Sequence, residues 1–252
     1  MSGTDPRPVL LLAHGAGGSL AANYGPVMAG LAARYRVIGA DYPGAGGSPR
    51  ARGPLELDDL ADRLVAAADA EGAARFAVSG FSLGGAVAIR LAVRHPERVT
   101  ALLLTAPFAR ADAQVRLVAR VWRSLVEAGD PDTLGRFLLA HSLSPAALEA
   151  MDPQELESAV KQVGGDVPAG TPEHVELAER LDVTADLSRI TVPTLVVSPT
   201  DDPLIAPRLH REVAAGIPGA RLMRIPGGHL PFAEHPDQWA ALLTAPFPGR
   251  KE

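Results

Sequence analysis

The sequence predicts an α/β fold built on a mostly parallel, doubly wound sheet, with a helical insertion in its second half. Three observations carry that reading. Short apolar runs recur along the chain, each separated from the next by a longer segment of helical periodicity. Most of these runs are apolar at nearly every position, the pattern of strands covered by helices on both faces. From 109 to 188, by contrast, there are helical patterns but no convincing strand.

Taken in order, residues 9–13 (VLLLA) read as the first strand, and a helical pattern at 24–34 leads to a second at 37–40. A helix at 57–71, a strand at 76–79, a helix at 83–94 and a strand at 99–105 follow. Strand, helix and strand repeated in this way give parallel strands joined by right-handed crossovers. The rhythm then breaks into helical patterns punctuated by Gly129-Asp130-Pro131, Asp152-Pro153 and Gly164-Gly165-Asp166. It resumes at Pro193 as if uninterrupted, with strands at 194–198 and 221–225 and helices at 208–215 and 236–243. Residues 1–108 and 189–252 are therefore expected to form the core, and 109–188 a cap or lid inserted between two strands.

Composition narrows the function classes. A chain of 252 residues that is 47% apolar and 21% charged holds enough apolar side chains for a sizeable core, which argues against wholesale disorder. The net charge of −5 and the lack of any Lys/Arg run argue against nucleic-acid binding. With Cys at 0, disulfides, cysteine nucleophiles and cysteine-based zinc sites are excluded. Residues 1–8 lack the charged and apolar regions of a leader, and the run at 9–13 is too short to span a bilayer. A cytoplasmic protein with a small-molecule partner and no membrane association is the expectation; no oligomeric state is assigned.

The strongest chemical signal is Gly80-Phe81-Ser82-Leu83-Gly84-Gly85, between the strand at 76–79 and the helix at 83–94. A serine on a sharp strand-to-helix turn has its hydroxyl pushed out at the edge of the sheet, and small residues must flank it because backbone passes close by. The N-terminus of the following helix favours negative charge at the same spot. The plain alternative is a tight turn carrying a solvated serine. At the end of the first strand stands His14-Gly15-Ala16-Gly17-Gly18-Ser19. The N–H groups of Ala16 and of Leu83 are candidate donors for an oxyanion hole. A phosphate-binding loop is the weaker reading, since the dinucleotide glycine spacing and a Lys-Ser/Thr ending are both missing.

A serine nucleophile needs a base, and the base a carboxylate. Of the 7 histidines, His14 reads as structural, His95 as solvated at a helix end, and His174 and His210 as members of polar helical stretches. His141 lies in the insertion, within reach of a substrate. His235 begins a helix, whereas His229 follows the last strand, at the sheet edge where Ser82 also lies. His229 is the preferred base, and Asp201 or Asp202 after the strand at 194–198 is the carboxylate.

These motifs resemble the α/β-hydrolase superfamily over nearly the whole chain. The residues that carry the likeness are His14-Gly15, Asp41-Tyr42-Pro43-Gly44, the turn at Ser82, Asp202 and Gly228-His229. The resemblance implies a triad of Ser82, Asp202 and His229. It selects Asp202 over Asp201 because Asp202-Pro203-Leu204-Ile205 is similar to the family's stretch that begins with the acid. Asp201 is then a surface or turn residue, expected to cap the helix near Pro207. Three departures stand out: Pro199 three residues before the acid, Ala45-Gly46-Gly47-Ser48 without a histidine, and a start at what would be the family's third strand.

The implied activity is hydrolysis of a small or medium apolar ester or thioester through an acyl-enzyme, with no cofactor and no metal. Candidate substrate contacts are Phe81, Phe108, Trp122, Phe137 and His141; the rival view is that apolar residues such as these simply pack the insertion on the body. The same constellation also serves lyases, acyltransferases, C–C hydrolases and cofactor-free haloperoxidases or perhydrolases. A non-catalytic ligand-binding protein is the remaining alternative.

Overall fold

Backbone position in this chain follows the apolar runs closely. A computed structural model describes residues 7–245, so the ends of the expected core at 1–6 and 246–252 lie outside the described residues. The strands are β1 (Val9–Ala13), β2 (Arg36–Gly39), β3 (Phe76–Phe81), β4 (Val99–Thr105), β5 (Thr194–Pro199) and β6 (Arg221–Ile225). They form one six-stranded sheet in the order β2-β1-β3-β4-β5-β6, and every neighbouring pair is parallel. Helices α1 (Leu20–Tyr24) and α2 (Met28–Arg34) join β1 to β2, α3 (Leu57–Ala70) leads to β3, and α4 (Leu83–Arg94) to β4. Five helices stand between β4 and β5: α5 (Ala113–Ala128), α6 (Pro131–Ser142), α7 (Pro145–Glu149), α8 (Pro153–Gly165) and α9 (Thr171–Arg180). After β5 come α10 (Pro207–Gly216), then β6, α11 (Pro231–Glu234) and α12 (Pro236–Thr244).

Successive strand residues feed opposite faces of the sheet. Leu11, Val78, Leu102, Leu104 and Val196 meet Leu60 and Leu64 of α3, Val87 and Leu91 of α4, and Val213 of α10. Leu10, Leu12, Ala77, Leu103 and Val197 meet Tyr24, Leu31 and Trp239 on the other side. This is the doubly wound arrangement the sequence predicts. Each leucine buried here stabilises the fold by roughly 1.5–3 kcal/mol before ordering entropy is set against it. The edge strand β6 departs from the apolar rule, with Arg221, Met223 and Arg224 exposed, as suits an edge that must not pair further.

One expected element begins late, at Met28 rather than at 24. The pattern at 24–34 is interrupted by a 3₁₀ turn at Gly25–Val27, because Pro26 has no N–H with which to continue the α1 ladder. Among the described residues no helix is long and apolar enough to cross a membrane.

The breakpoints read from the insertion's sequence are its helix caps. Gly129, with φ 68, closes α5 in the left-handed region. Asp130 then accepts from Thr133 N and Pro131 opens α6, and Asp152-Pro153 starts α8 the same way with a full capping box to Glu155. Helices α6 and α8 cross with backbones nearly touching. A Cβ on Gly135 would run into the Val160 carbonyl, and one on Gly164 into that of Pro131. Gly164→Ala should therefore cost about 1–3 kcal/mol through overpacking and lower the unfolding temperature. Gly165→Ala, where an added Cβ meets open space, should not. Thermal melts of the two variants test this, and equal melting temperatures would contradict the close crossing.

Candidate active site

Parallel strands send all their carboxyl ends to one edge of the sheet. The chain leaves β1 toward β2 on one side and returns through β3 on the other, so a crevice opens where the strand order reverses. There Ala13 of β1 pairs with Gly80 of β3. Ser82 is the single residue between β3 and α4, with φ 54 and ψ −118. A non-glycine residue in this region stores strain on the order of 1–3 kcal/mol. The strain is held by the Ser82 N–H bond to the Thr105 carbonyl at 2.9 Å and by the Gly85 N–H bond to the Ser82 carbonyl at 2.8 Å. Gly80 and Gly84 make the turn sterically feasible. A Cβ on Gly84 would strike the Ala13 carbonyl, and one on Gly80 the Gly84 carbonyl.

Ser82 Oγ lies 3.0 Å from His229 Nε2, and His229 Nδ1 lies 2.7 Å from Asp202 Oδ2. The other carboxylate oxygen of Asp202 accepts N–H bonds from Leu204 at 2.9 Å and Ile205 at 2.8 Å. All three side chains are buried. Asp201, one residue earlier, is exposed and accepts the Thr200 hydroxyl. It does not cap α10, whose N-cap is Ala206 with no side-chain bond. The Asp202 carboxylate caps the turn after β5, through the N–H groups of Leu204 and Ile205, and leaves the start of α10 without a side-chain cap.

The loop after β1 is anchored residue by residue. Gly15 N donates to Asn23 Oδ1 at 2.9 Å, Gly17 N to His174 Nδ1 at 3.3 Å and Gly18 N to the Gly15 carbonyl at 3.3 Å. The Ala16 N–H lies between these anchored neighbours. Leu83 opens α4, so its N–H is among those with no carbonyl of its own helix to meet. His14 is structural: Nδ1 donates to the Gly15 carbonyl and Nε2 accepts from Tyr42 N, each at 2.9 Å.

The insertion reaches this edge from both sides of Ser82. His229 N donates to the Ser142 carbonyl at 2.7 Å. The Glu234 carboxylate accepts from Gly228 N at 2.8 Å, from Ser144 N at 3.1 Å and from Ser144 Oγ at 2.6 Å, latching the α6–α7 turn onto the histidine loop. On the other side, His174 of α9 accepts from Gly17 and donates through Nε2 to the Pro43 carbonyl at 2.9 Å. The indole of Trp122 lies against Gly17, and its Nε1 is buried without a hydrogen-bond partner among the described residues. Phe137 and His141 stack at 4.3 Å on α6, with His141 Nδ1 donating to the Phe137 carbonyl. Phe81 packs against His229 and Phe232 with ring centroids 5.0 and 5.3 Å away. Phe108 belongs to the larger core cluster.

Glu234, Ser144, His174 and His210 were not singled out by sequence reasoning. His174 and His210 lie in helices whose composition is polar, yet both are fully enclosed. In α10 the signal was available, since Leu209, His210 and Val213 share its buried face at helical spacing. For Glu234 no local pattern connects position 234 to position 144.

Burial holds three histidines neutral. It lowers the pKa of His14 to about 4 against the help of its Gly15 bond, lowers that of His210 to about 4 despite Asp202, and lowers that of His174. The folded-state values lie below the ordinary 6.5 of an unfolded chain, so stability is complete above about pH 6.5 and is lost as the pH falls toward 4. Each such histidine contributes a slope of roughly 1.4 kcal/mol per pH unit in that window. Urea unfolding at a series of pH values should show the midpoint dropping below neutrality, with a shallower drop in His14→Gln. A midpoint that stays flat down to pH 5 would show that these imidazoles are not held neutral.

A family model described as alpha/beta hydrolase fold matches residues 8–236. The chain is 30% identical to pyrrolizixenacetamide deacetylase of Xenorhabdus hominickii, over 94% of this chain and 90% of that protein. It is 31% identical to a pimeloyl-acyl-carrier-protein methyl ester esterase of Neisseria meningitidis, over 86% of this chain and 84% of that one. Among solved structures, the enol-lactonase of Burkholderia xenovorans superposes with a TM-score of 0.84 at 25% identity, covering 96% of this chain and 93% of that chain.

Proposed function

The chain belongs to the alpha/beta hydrolase family and is an enzyme of that class, and we propose that it is a serine hydrolase cleaving a small or medium apolar ester or thioester through an acyl-enzyme. The observation that supports this most directly is the unbroken line from Ser82 Oγ through both nitrogens of His229 to Asp202, at 3.0 and 2.7 Å. On this reading Ser82 attacks the acyl carbon while His229 Nε2 takes its proton. Asp202 holds Nδ1–H and stabilises the imidazolium. The N–H groups of Ala16 and Leu83 receive the oxyanion, each donor being worth roughly 10²–10³ in rate. His229 then returns the proton to the departing alcohol or thiol. Water, deprotonated by the same base, releases the acid and restores Ser82.

Residues 109–188 serve in this reading as the cap over the core formed by 1–108 and 189–252. Trp122, Phe137 and His141 are its contacts to substrate, while Phe81 and Phe108 line the body beneath. The support is positional: Trp122 meets the loop of Ala16 through Gly17, and the end of α6 meets His229 through Ser142. The relatives carry the names of a deacetylase, a methyl ester esterase and an enol-lactonase, all reactions at an acyl carbon. The apolar character assigned to the substrate comes from the insertion's own side chains.

A fluorophosphonate should label Ser82 covalently, and Ser82→Ala should abolish both the label and turnover, by roughly 10⁴-fold or more, while the protein still folds. Near-native activity in that variant would refute the mechanism. Identification of the free acid as product separates hydrolysis from transfer or elimination. Asp202→Asn keeps the shape but removes the charge that stabilises the imidazolium, and a loss of about 10⁴-fold is expected, as in another triad. Asp201→Asn should cost far less. Measured side by side at one pH, a larger loss in Asp201→Asn would move the acid by one residue.

A further inference from the structure

Asp202 faces two imidazoles. His229 Nδ1 is 2.7 Å from its Oδ2, and His210 Nε2 is 3.6 Å from the same oxygen. On its far side, His210 Nδ1 is 3.0 Å from the hydroxyl of Ser198 near the end of β5. His210 is fully enclosed, Ser198 and Asp202 are buried, and among the described residues His210 Nε2 has no hydrogen-bond partner. Ser198, His210, Asp202, His229 and Ser82 thus form one continuous buried row.

The row fixes the tautomer of His210. With the proton on Nδ1, the Nε2 lone pair would point at a carboxylate in a low-dielectric interior, a repulsive arrangement. With the proton on Nε2, Nδ1 accepts from the Ser198 hydroxyl and the N–H dipole faces Oδ2. The second arrangement satisfies both ends. At 3.6 Å the approach to Oδ2 is longer than a hydrogen bond, so the N–H acts on Asp202 through its field. The charged or titratable groups around His210 are Asp202, His229 and Arg211 of its own helix. Burial keeps the imidazole neutral near pH 7.

We propose that His210, held by Ser198, is a positioning residue for Asp202, with its Nε2–H facing the oxygen that binds His229 and moderating the charge that oxygen presents to the base. The inference rests on the triad reading above. A donor dipole at Oδ2 competes with His229 Nδ1–H for the same negative charge, so it weakens the stabilisation of the imidazolium. Base strength at His229 is then a balance between the carboxylate and its second imidazole.

The test uses the full chain with p-nitrophenyl butyrate as probe, and reads kcat and kcat/KM across the acid and neutral range. His210→Leu removes the dipole. The acid limb of kcat/KM should move to higher pH by roughly 0.5 unit, with kcat on the plateau not reduced and KM within about twofold. His210→Gln, which keeps an N–H near the Nε2 position, should return the limb toward the parent. Ser198→Ala frees Nδ1 and should move the limb the same way by less; it also serves if His210→Leu does not fold. An unmoved limb in these variants, with only thermal stability lowered, overturns the proposal, as does a shift to lower pH. Fluorophosphonate labelling separates the two failures. An unlabelled Ser82 in the parent refutes the serine mechanism itself, whereas a labelled Ser82 with an unmoved limb refutes only the role of His210.

Discussion

The turn at Ser82 is the constraint around which the rest of this edge is arranged. A strand that must become a helix within one residue needs a positive φ, here 54, and the fold has to hold it there. Two backbone bonds do so, from the Thr105 carbonyl of β4 and from the first turn of α4. Close approach does the remainder. The start of α4 lies so near the end of β1 that Gly84 sits under the Ala13 carbonyl, and a side chain would push the helix off the sheet. If φ relaxed to an ordinary value, the N-terminus of α4 would swing away from the crevice and its free N–H groups would point elsewhere. Sheet order, glycine placement and helix direction therefore form one coupled requirement.

A second positive φ, 48 at Ala106, follows Thr105, whereas the loops of Ala16 and His229 are held differently. They are set by long-range bonds, and two supports come from the insertion. The histidine loop leans on Ser142 and is latched through Glu234 to Ser144, while the loop of Ala16 leans on His174. Removing the insertion as a rigid body would break both attachments together and free the loops on either side of Ser82. A segment fastened in this way contributes to the geometry of the edge. Helix α5 is less committed on its outer side, where Leu117 and Val121 are 65% and 46% exposed.

Those two kinds of constraint explain what was legible in the sequence. The strands at 9–13, 99–105 and 221–225 and the helix at 83–94 have the bounds their patterns indicate, because period and capping are local properties. The same holds for the Gly-Asp-Pro breakpoints of the insertion. The places of Ser82 and His229 were legible because each follows a strand at the same sheet edge; strand position left the acid at 201 or 202, and the family resemblance selected Asp202. The helix expected from 24 begins at Met28 instead, because Pro26 sets a 3₁₀ turn ahead of it. His174 was not legible in its role, because its partners Gly17 and Pro43 are 157 and 131 residues away. Asp201 is exposed, as expected of a surface or turn residue, but it bonds the Thr200 hydroxyl and α10 has no side-chain cap. For His174 a tertiary partner outranked the local composition of the segment.

The buried polar groups at this edge also share an electrostatic logic. His14, His174 and His210 each have both backbone or side-chain surroundings arranged for a neutral ring: a donor on one nitrogen and an acceptor, or a carboxylate, facing the other. A cation at any of these positions would lose one of its partners and be desolvated as well, which is why burial leads the causes that lower their pKa. The consequence is a crevice in which Asp202 is the one carboxylate at the buried row and the neighbouring imidazoles do not cancel it near pH 7. Its field then acts on the group closest to it, His229 Nδ1 at 2.7 Å, in a medium where such a field is weakly screened. Neutral histidines thus allow polar residues to brace the loops without competing as charges.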